Sequence, residues 1–475
     1  MEVRFNEIDA PRAAGLVRAQ ALVEGDIPFP EGKTATDILG AMGEVLLSGS
    51  DVKEGMVLME GRVRVQLTCL DGQVFCFTSS AMFRHTLAAP EARPGMVCEV
   101  TAQLQTLSVK LVSGLITLSA VVDICCRLID ESSLPVLSGI AGICDMEIKQ
   151  KELSLCKRSN TTETIRTRDE VNAGDIVEVL CADGIAELTD VAGCRGMLMV
   201  DALCRTSGGK LCQQLYNLPF TYSAIGSGGC ADVSALSVRC LSSEFALIAV
   251  EAQIDIVMYT DAPMSLCLPL AAYSPSIPFT CITSRQCFCG SAGMLSSRHA
   301  IAESLSLPEG MPAVHHVVCC FARTVVTAQN VNDNRLYVEG LLVTRVIYHT
   351  ESGAYFAFTE DVPFACDFDA RGANAADVTL NCIASVRGSG SRISVDYTLL
   401  ICAKLYVLTT VNVVTGIEEC DSPDVRRGII VYFCASGETM FDVAKRFNIS
   451  TARLKESNPS VCDQLSDGER LMIIV

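Results

Sequence analysis

Three stretches of every-second-residue alternation constrain this chain more than any other feature. Ile116, Leu118, Ala120, Val122 and Ile124 share one phase. Ile248, Val250, Ala252, Ile254 and Ile256 share a second, with Glu251, Gln253 and Asp255 interleaved, and Ile393, Val395, Tyr397, Leu399 and Ile401 share a third. Successive side chains of a strand point to opposite faces, so each stretch turns one apolar face to a core and the other to solvent or a second layer.

Each alternating strand closes a longer internal repeat of about 140 residues. Phe29-Pro30-Glu31-Gly32 has its counterpart in Leu307-Pro308-Glu309-Gly310. Apolar segments then lead to Met59-Glu60-Gly61-Arg62-Val63 and to Val338-Glu339-Gly340-Leu341-Leu342. A weaker middle copy enters through Glu170-Val171-Asn172-Ala173-Gly174 and continues to Val191-Ala192-Gly193-Cys194-Arg195. Hairpin turns are expected at Asp71-Gly72, at Ser207-Gly208-Gly209 and at Glu351-Ser352-Gly353.

The 475 residues exceed what one core organises, and about three or four domains fit that length. With 49% hydrophobic and 19% charged residues the chain should be folded nearly throughout. Pro- and Gly-containing segments near 131–150 and 262–290, and the polar stretch 409–428, are the expected boundaries. The fold class read from this is mainly β: three tandem sandwich-like repeats at 15–130, 151–262 and 290–410, a linker at 411–428, and a small α+β module at 429–475. Within the repeats Thr34 to Leu47 is a helix candidate, because its apolar spacing fits either period.

The C-terminal module changes character. Val431, Tyr432 and Phe433 predict a short strand, and Ser436-Gly437-Glu438-Thr439 a turn into a helix capped by Thr439. On that helix Met440, Val443, Ala444 and Phe447 recur at i, i+3, i+4 and i+7, a single buried stripe. Ser450 is placed to cap a second helix carrying Leu454, which Asn458-Pro459 ends, and Leu471 to Val475 predicts the closing strand. This βααβ order resembles the LysM family at Tyr432, Gly437, Thr439, Ala444, Phe447, Ser450, Leu454, Asn458, Pro459, Leu465, Gly468 and Leu471. Glu438 and Met440 stand where that family usually has Asp and Leu.

Three β-rich repeats followed by LysM are similar to the SPOCS-repeat proteins of spore-forming bacteria. The resemblance implies a mother-cell protein that joins the coat basal layer to the forespore surface by binding the morphogenetic ATPase SpoIVA. For the LysM part it implies a shallow groove, lined here by Gly437, Glu438, Thr439, Met440, Asn458, Pro459 and Ser460, that takes N-acetylglucosamine units of peptidoglycan or a protein partner. Gly437, Asn458 and Pro459 also read as turn formers.

Other chemistry is thin. A net charge of -18, no Trp and 6% aromatics argue against nucleic-acid binding. The first ten residues interleave charges where an export signal needs an apolar run, and no apolar stretch approaches the ~20 residues of a membrane span, so the expectation is an intracellular chain without a transmembrane segment. The 25 cysteines include no Cys-x-x-Cys pair and read as small core residues in a reducing compartment. Gly32-Lys33-Thr34 lacks the upstream Gly of a phosphate loop, with Ile27 in its place and Pro28 and Pro30 removing amide donors. His315, His316, Cys319 and Cys320, with Cys287, Cys289 and His299 as further donors, form a metal candidate, weighed against buried thiols and ordinary histidines on a strand. No motif supports an enzyme, and no cofactor is expected. The reading is a non-enzymatic assembly protein whose strand edges also suit self-association. The alternative is a peptidoglycan-binding protein at the cell wall or spore cortex.

Overall fold

The computed structural model describes residues 2–242, 247–390, 392–420 and 428–475. After β1 (Val3–Ile8) the first repeat runs through β2 (Arg12–Ile27), β3 (Asp37–Lys53), β4 (Met56–Asp71), β5 (Gln73–Ala88), β6 (Val97–Val112) and β7 (Leu115–Asp130). A short β8 (Leu134–Ile140) pairs back on β1. The second repeat comprises β9 (Glu147–Asn172), β10 (Ile176–Asp190), β11 (Arg195–Thr206), β12 (Leu211–Thr221), β13 (Gly228–Ser242) and β14 (Leu247–Tyr273). The third comprises β15 (Phe279–Ser306), β16 (His316–Asn332), β17 (Arg335–His349), β18 (Tyr355–Asp369), β19 (Ala375–Ser389) and β20 (Arg392–Glu419). The chain ends in β21 (Ile429–Phe433), α1 (Met440–Arg446), α2 (Thr451–Ser457) and β22 (Arg470–Ile474).

Every repeat folds the same way. Its second, third and fourth strands form one antiparallel sheet, and its first, sixth and fifth form another, in the order β2-β7-β6, β9-β14-β13 and β15-β20-β19. The three alternating stretches are the central strands β7, β14 and β20 of these second sheets, and their in-phase residues are all buried. Each repeat thus has its own sandwich core, built around Val63 and Val122, around Leu198 and Ile254, and around Leu342 and Leu399.

A glycine directly opposite a phenylalanine marks the first sheet of each repeat: Gly61 and Phe83, Gly196 and Phe220, Gly340 and Phe364. A Cβ on Gly340 would meet Phe364 Cζ at 2.7 Å, and one on Gly61 would meet Phe83 Cζ at 2.8 Å. The aromatic ring lies over the bare backbone and fills the space a side chain would take. In the middle copy this position belongs to Gly196, three residues after the Gly193 that the sequence alignment suggested.

Two expectations are corrected. Thr34 to Leu47 is no helix: residues from Asp37 onward belong to β3, paired with β4. Gly40 and Gly43 cost a helix about 1 kcal/mol each, whereas in the strand Gly43 lets Leu104 and Leu107 of the facing sheet approach. The boundaries at 262–290 and 409–428 also fall inside structure. β14 continues to Tyr273, β15 begins at Phe279 and β20 runs to Glu419, so 411–419 is strand rather than linker; residues 421–427 lie outside the described residues. These overlong strands stay ordered because their far halves close a further core, Leu266, Leu268, Phe288, Val411 and Val413, with Ile8, Leu134 and Val136 of the β1–β8 pair.

The repeats also pack on one another. Leu39 and Val74 of the first, Leu203 and Leu211 of the second, and Val318, Phe321 and Ile347 of the third form one buried cluster. A single bridge, Phe288 to Arg12, joins the second sheets of repeats three and one into six strands.

Candidate functional site

In the C-terminal module Thr439 caps α1 through a reciprocal pair. Its hydroxyl accepts from Asp442 N at 3.3 Å, and the Asp442 carboxylate accepts from Thr439 N at 3.0 Å. Met440, Val443 and Ala444 are buried beneath it, with Phe447 half-buried beside Tyr432. Ser450 caps α2 by accepting from Arg453 N, and Leu454 is that helix's buried residue.

The loops on either side of the helices meet. Met440 N donates to the Asp463 carbonyl at 3.0 Å, Leu465 N to the Glu438 carbonyl at 3.2 Å, and Thr439 and Gln464 form a bridge. Of the seven groove residues named from the sequence, Gly437 through Met440 therefore lie together, but their partners are residues 463–465. Among the described residues no hydrogen bond joins them to Asn458, Pro459 or Ser460. Gly437 is exposed at φ +83, where a side chain would be strained. Met440 is buried, and Pro459 and Ser460 are exposed.

The polar groups here are already engaged. Glu438 accepts from Ala435 N at 2.9 Å and from the Tyr432 hydroxyl at 3.0 Å, and pairs with Arg446 at 2.9 Å. The Ala435 amide first, with the Tyr432 hydroxyl and Arg446, holds its carboxyl below the usual range. Asn458 is buried: its Nδ2 donates to the Leu454 and Met472 carbonyls and its Oδ1 accepts from Met472 N, pinning the end of α2 to β22.

The helix side of the module is fixed to the end of repeat two. Tyr273, the last residue of β14, enters the module's core, its ring 5.2 Å from Phe441 in a T-shaped contact. Its hydroxyl lies 2.8 Å from the Glu147 carboxylate and 2.9 Å from the Ile449 carbonyl. Glu147 also accepts from Thr451 N at 2.7 Å, and Lys149 Nζ lies 3.0 Å from both Asp442 oxygens. The opposite side is bare. Ile429, Val431 and Phe433 of β21 and Met472 and Ile474 of β22 point outward, Ile429 with 71% and Phe433 with 64% of their surface exposed. The sequence placed Val431, Phe433, Met472 and Ile474 in strands without assigning them an outward face, because β21 is apolar at every position, and the docking residues Glu147, Lys149 and Tyr273 were not singled out.

A second concavity lies where the repeats meet, a cavity of ≈ 1180 Å³ walled mainly by β3, β6, β10, β13, β16 and β19. Acids gather around it. Burial raises the Glu44, Asp183 and Asp232 carboxyls, although Glu44 is 2.6 Å from Arg64. Asp201, close by, is pushed up to about 7 by burial while accepting from Gln213 at 2.7 Å. From the third repeat Arg323 reaches the Leu104 and Gln105 carbonyls and Arg345 the Leu39 carbonyl. The two arginines bind the third repeat to the first.

The metal candidates do not converge. Cys319 and Cys320 are buried and their thiols pushed well up by burial, whereas His315 and His316 lie against His349. His299 stands against Phe368 elsewhere in the third repeat. Among the described residues no group of three or more His, Cys, Asp or Glu is placed to hold a metal ion. Lys33 lies over the Phe75 ring, 5.4 Å from its centroid. Among the described residues no helix is long and apolar enough to cross a membrane.

No curated protein and no solved structure matches the chain. Residues 34–112 and 313–388 match a family model described as SipL, SPOCS domain. The matched segments span β3 to β6 of the first repeat and β16 to β19 of the third, and the second repeat has the same strand order and the same Gly–Phe pair outside the match. Two of the three repeats are thus similar to the SPOCS domain, which marks the chain as sporulation-related.

Proposed function

We propose that this chain is a non-enzymatic scaffold of spore-coat assembly, acting in the mother cell. Its repeats form the body, and its C-terminal module, read as a LysM domain, docks a coat morphogenetic ATPase of the SpoIVA kind at the forespore surface. The observation that carries this reading is the bare apolar face of Ile429, Val431, Phe433, Met472 and Ile474. Fully burying one such large side chain is worth about 1.5–3 kcal/mol, so a protein surface gains where a sugar would not. The engaged state of Glu438 and Asn458 points the same way, since a glycan would have to displace bonds within the module.

The test is binding of the full chain to the purified ATPase and, in parallel, to N-acetylglucosamine oligomers. The expected outcome is binding to the ATPase that Val431→Lys or Phe433→Glu weakens by about tenfold or more. Glycan binding that these variants leave unchanged, with no ATPase binding, would replace this reading by peptidoglycan recognition.

A further inference from the structure

Both boundaries of the second repeat carry cysteines from two different repeats in contact. Cys76 of β5 and Cys181 of β10 pack against the same buried inter-repeat cluster, and Cys402 of β20 reaches the strand β13 backbone beside Cys230, so that the two thiols of each pair interact. All four are half-buried. Their surroundings fix the sulfurs further: Cys76 Sγ is 3.4 Å from Thr68 Oγ1, and Cys402 Sγ is 3.9 Å from the Gly229 carbonyl beside Cys230. A third pair, Cys98 and Cys126, lies inside repeat one and cannot join repeats. Between repeats one and three the corresponding tie is the buried ion pair of Arg127 with Asp377.

We propose that Cys76–Cys181 and Cys230–Cys402 are paired oxidation sites, which a hydroperoxide closes into two disulfides tying the second repeat covalently to both neighbours. One sulfur of each pair attacks a peroxide oxygen, the O–O bond breaks, and water leaves a sulfenic acid behind. The partner sulfur then attacks that sulfur, the S–O bond breaks, and a second water departs. Each pair gives up two electrons and two protons, and one hydrogen peroxide is reduced to two waters.

Arg205 near Cys76 and Lys404 near Cys230 place a cation beside one sulfur of each pair, which favours its thiolate. Both bonds would close long loops, 76–181 and 230–402, the case in which a cross-link restricts the unfolded chain most.

The test uses the full chain with the exposed Cys144, Cys267, Cys420 and Cys462 replaced by Ser, so that links between molecules do not divert the oxidant. Dilute reduced protein is treated with hydrogen peroxide, free thiols are alkylated, and peptides are mapped by mass spectrometry. The expected result is a 76–181 and a 230–402 cross-linked peptide. The thermal midpoint should rise by roughly 5–10 °C and fall back on reduction. Cys181→Ser and Cys402→Ser should each remove only their own link. Absence of either peptide from the parent protein, or these cysteines joined to other partners, would overturn the proposal whether or not the Ser variants fold.

Discussion

Asp201 sits in the wall between repeats with one partner, the Gln213 amide, which also donates to the Cys320 and Ala384 carbonyls. Burial pushes its carboxyl up to about 7, from ~3.9 in an unfolded chain. A raised carboxyl means that the fold binds a proton the unfolded chain has released. The stabilisation is therefore complete below about pH 4 and is lost progressively as pH rises to about 7, on the order of a few kcal/mol. Asp201→Asn mimics the protonated acid and keeps an acceptor for Gln213. It should make the protein more stable than the parent at about pH 8 and nearly equal at about pH 4, as urea unfolding at the two pH values would reveal. A charged side chain at this position gives no hint of its neutral state in the sequence, because burial between distant repeats causes it.

Strands and turns were legible because a period of two survives in any surroundings. Ile116 to Ile124 could be placed facing a core without knowing which core, and Gly72, Gly209 and Gly353 do sit at positive φ in their hairpin turns. The ends of elements were not, since the far half of β14 continues to Tyr273 with Leu268 buried in one cluster with Phe288 and Val413 from other strands. The same hidden dependence governs the C-terminal module. Its capping box and buried stripe are local and could be read, but the residues that hold it in place, Glu147, Lys149 and Tyr273, lie far away in the chain. Tyr273→Ala removes the ring against Phe441 and leaves Glu147 and the Ile449 carbonyl without the hydroxyl. The module should come loose while the repeats stay folded. Limited proteolysis should then release a C-terminal fragment much faster than from the parent, with the main thermal transition little changed.

Across the whole molecule the three sandwiches behave as one body closed on itself. Arg127 and Asp377 are both buried, bonded at 3.1 and 2.7 Å, with the guanidinium 4.6 Å from the centre of the Tyr406 ring. Breaking such a pair strands a charge out of water, so Arg127→Ala should cost about 3–5 kcal/mol in chemical denaturation, and Arg127→Met with Asp377→Leu markedly less. If the single and double variants lose the same amount, the pair is no inter-repeat joint. The closure also sets a timetable for biosynthesis. The two partners are 250 residues apart in the chain, so at ~5–20 residues per second a ribosome works for tens of seconds after making Arg127 before its counter-ion exists. During that interval the first sandwich carries an unmet cation at a raw surface, and the nascent protein is most open to capture by chaperones or by the wrong neighbour.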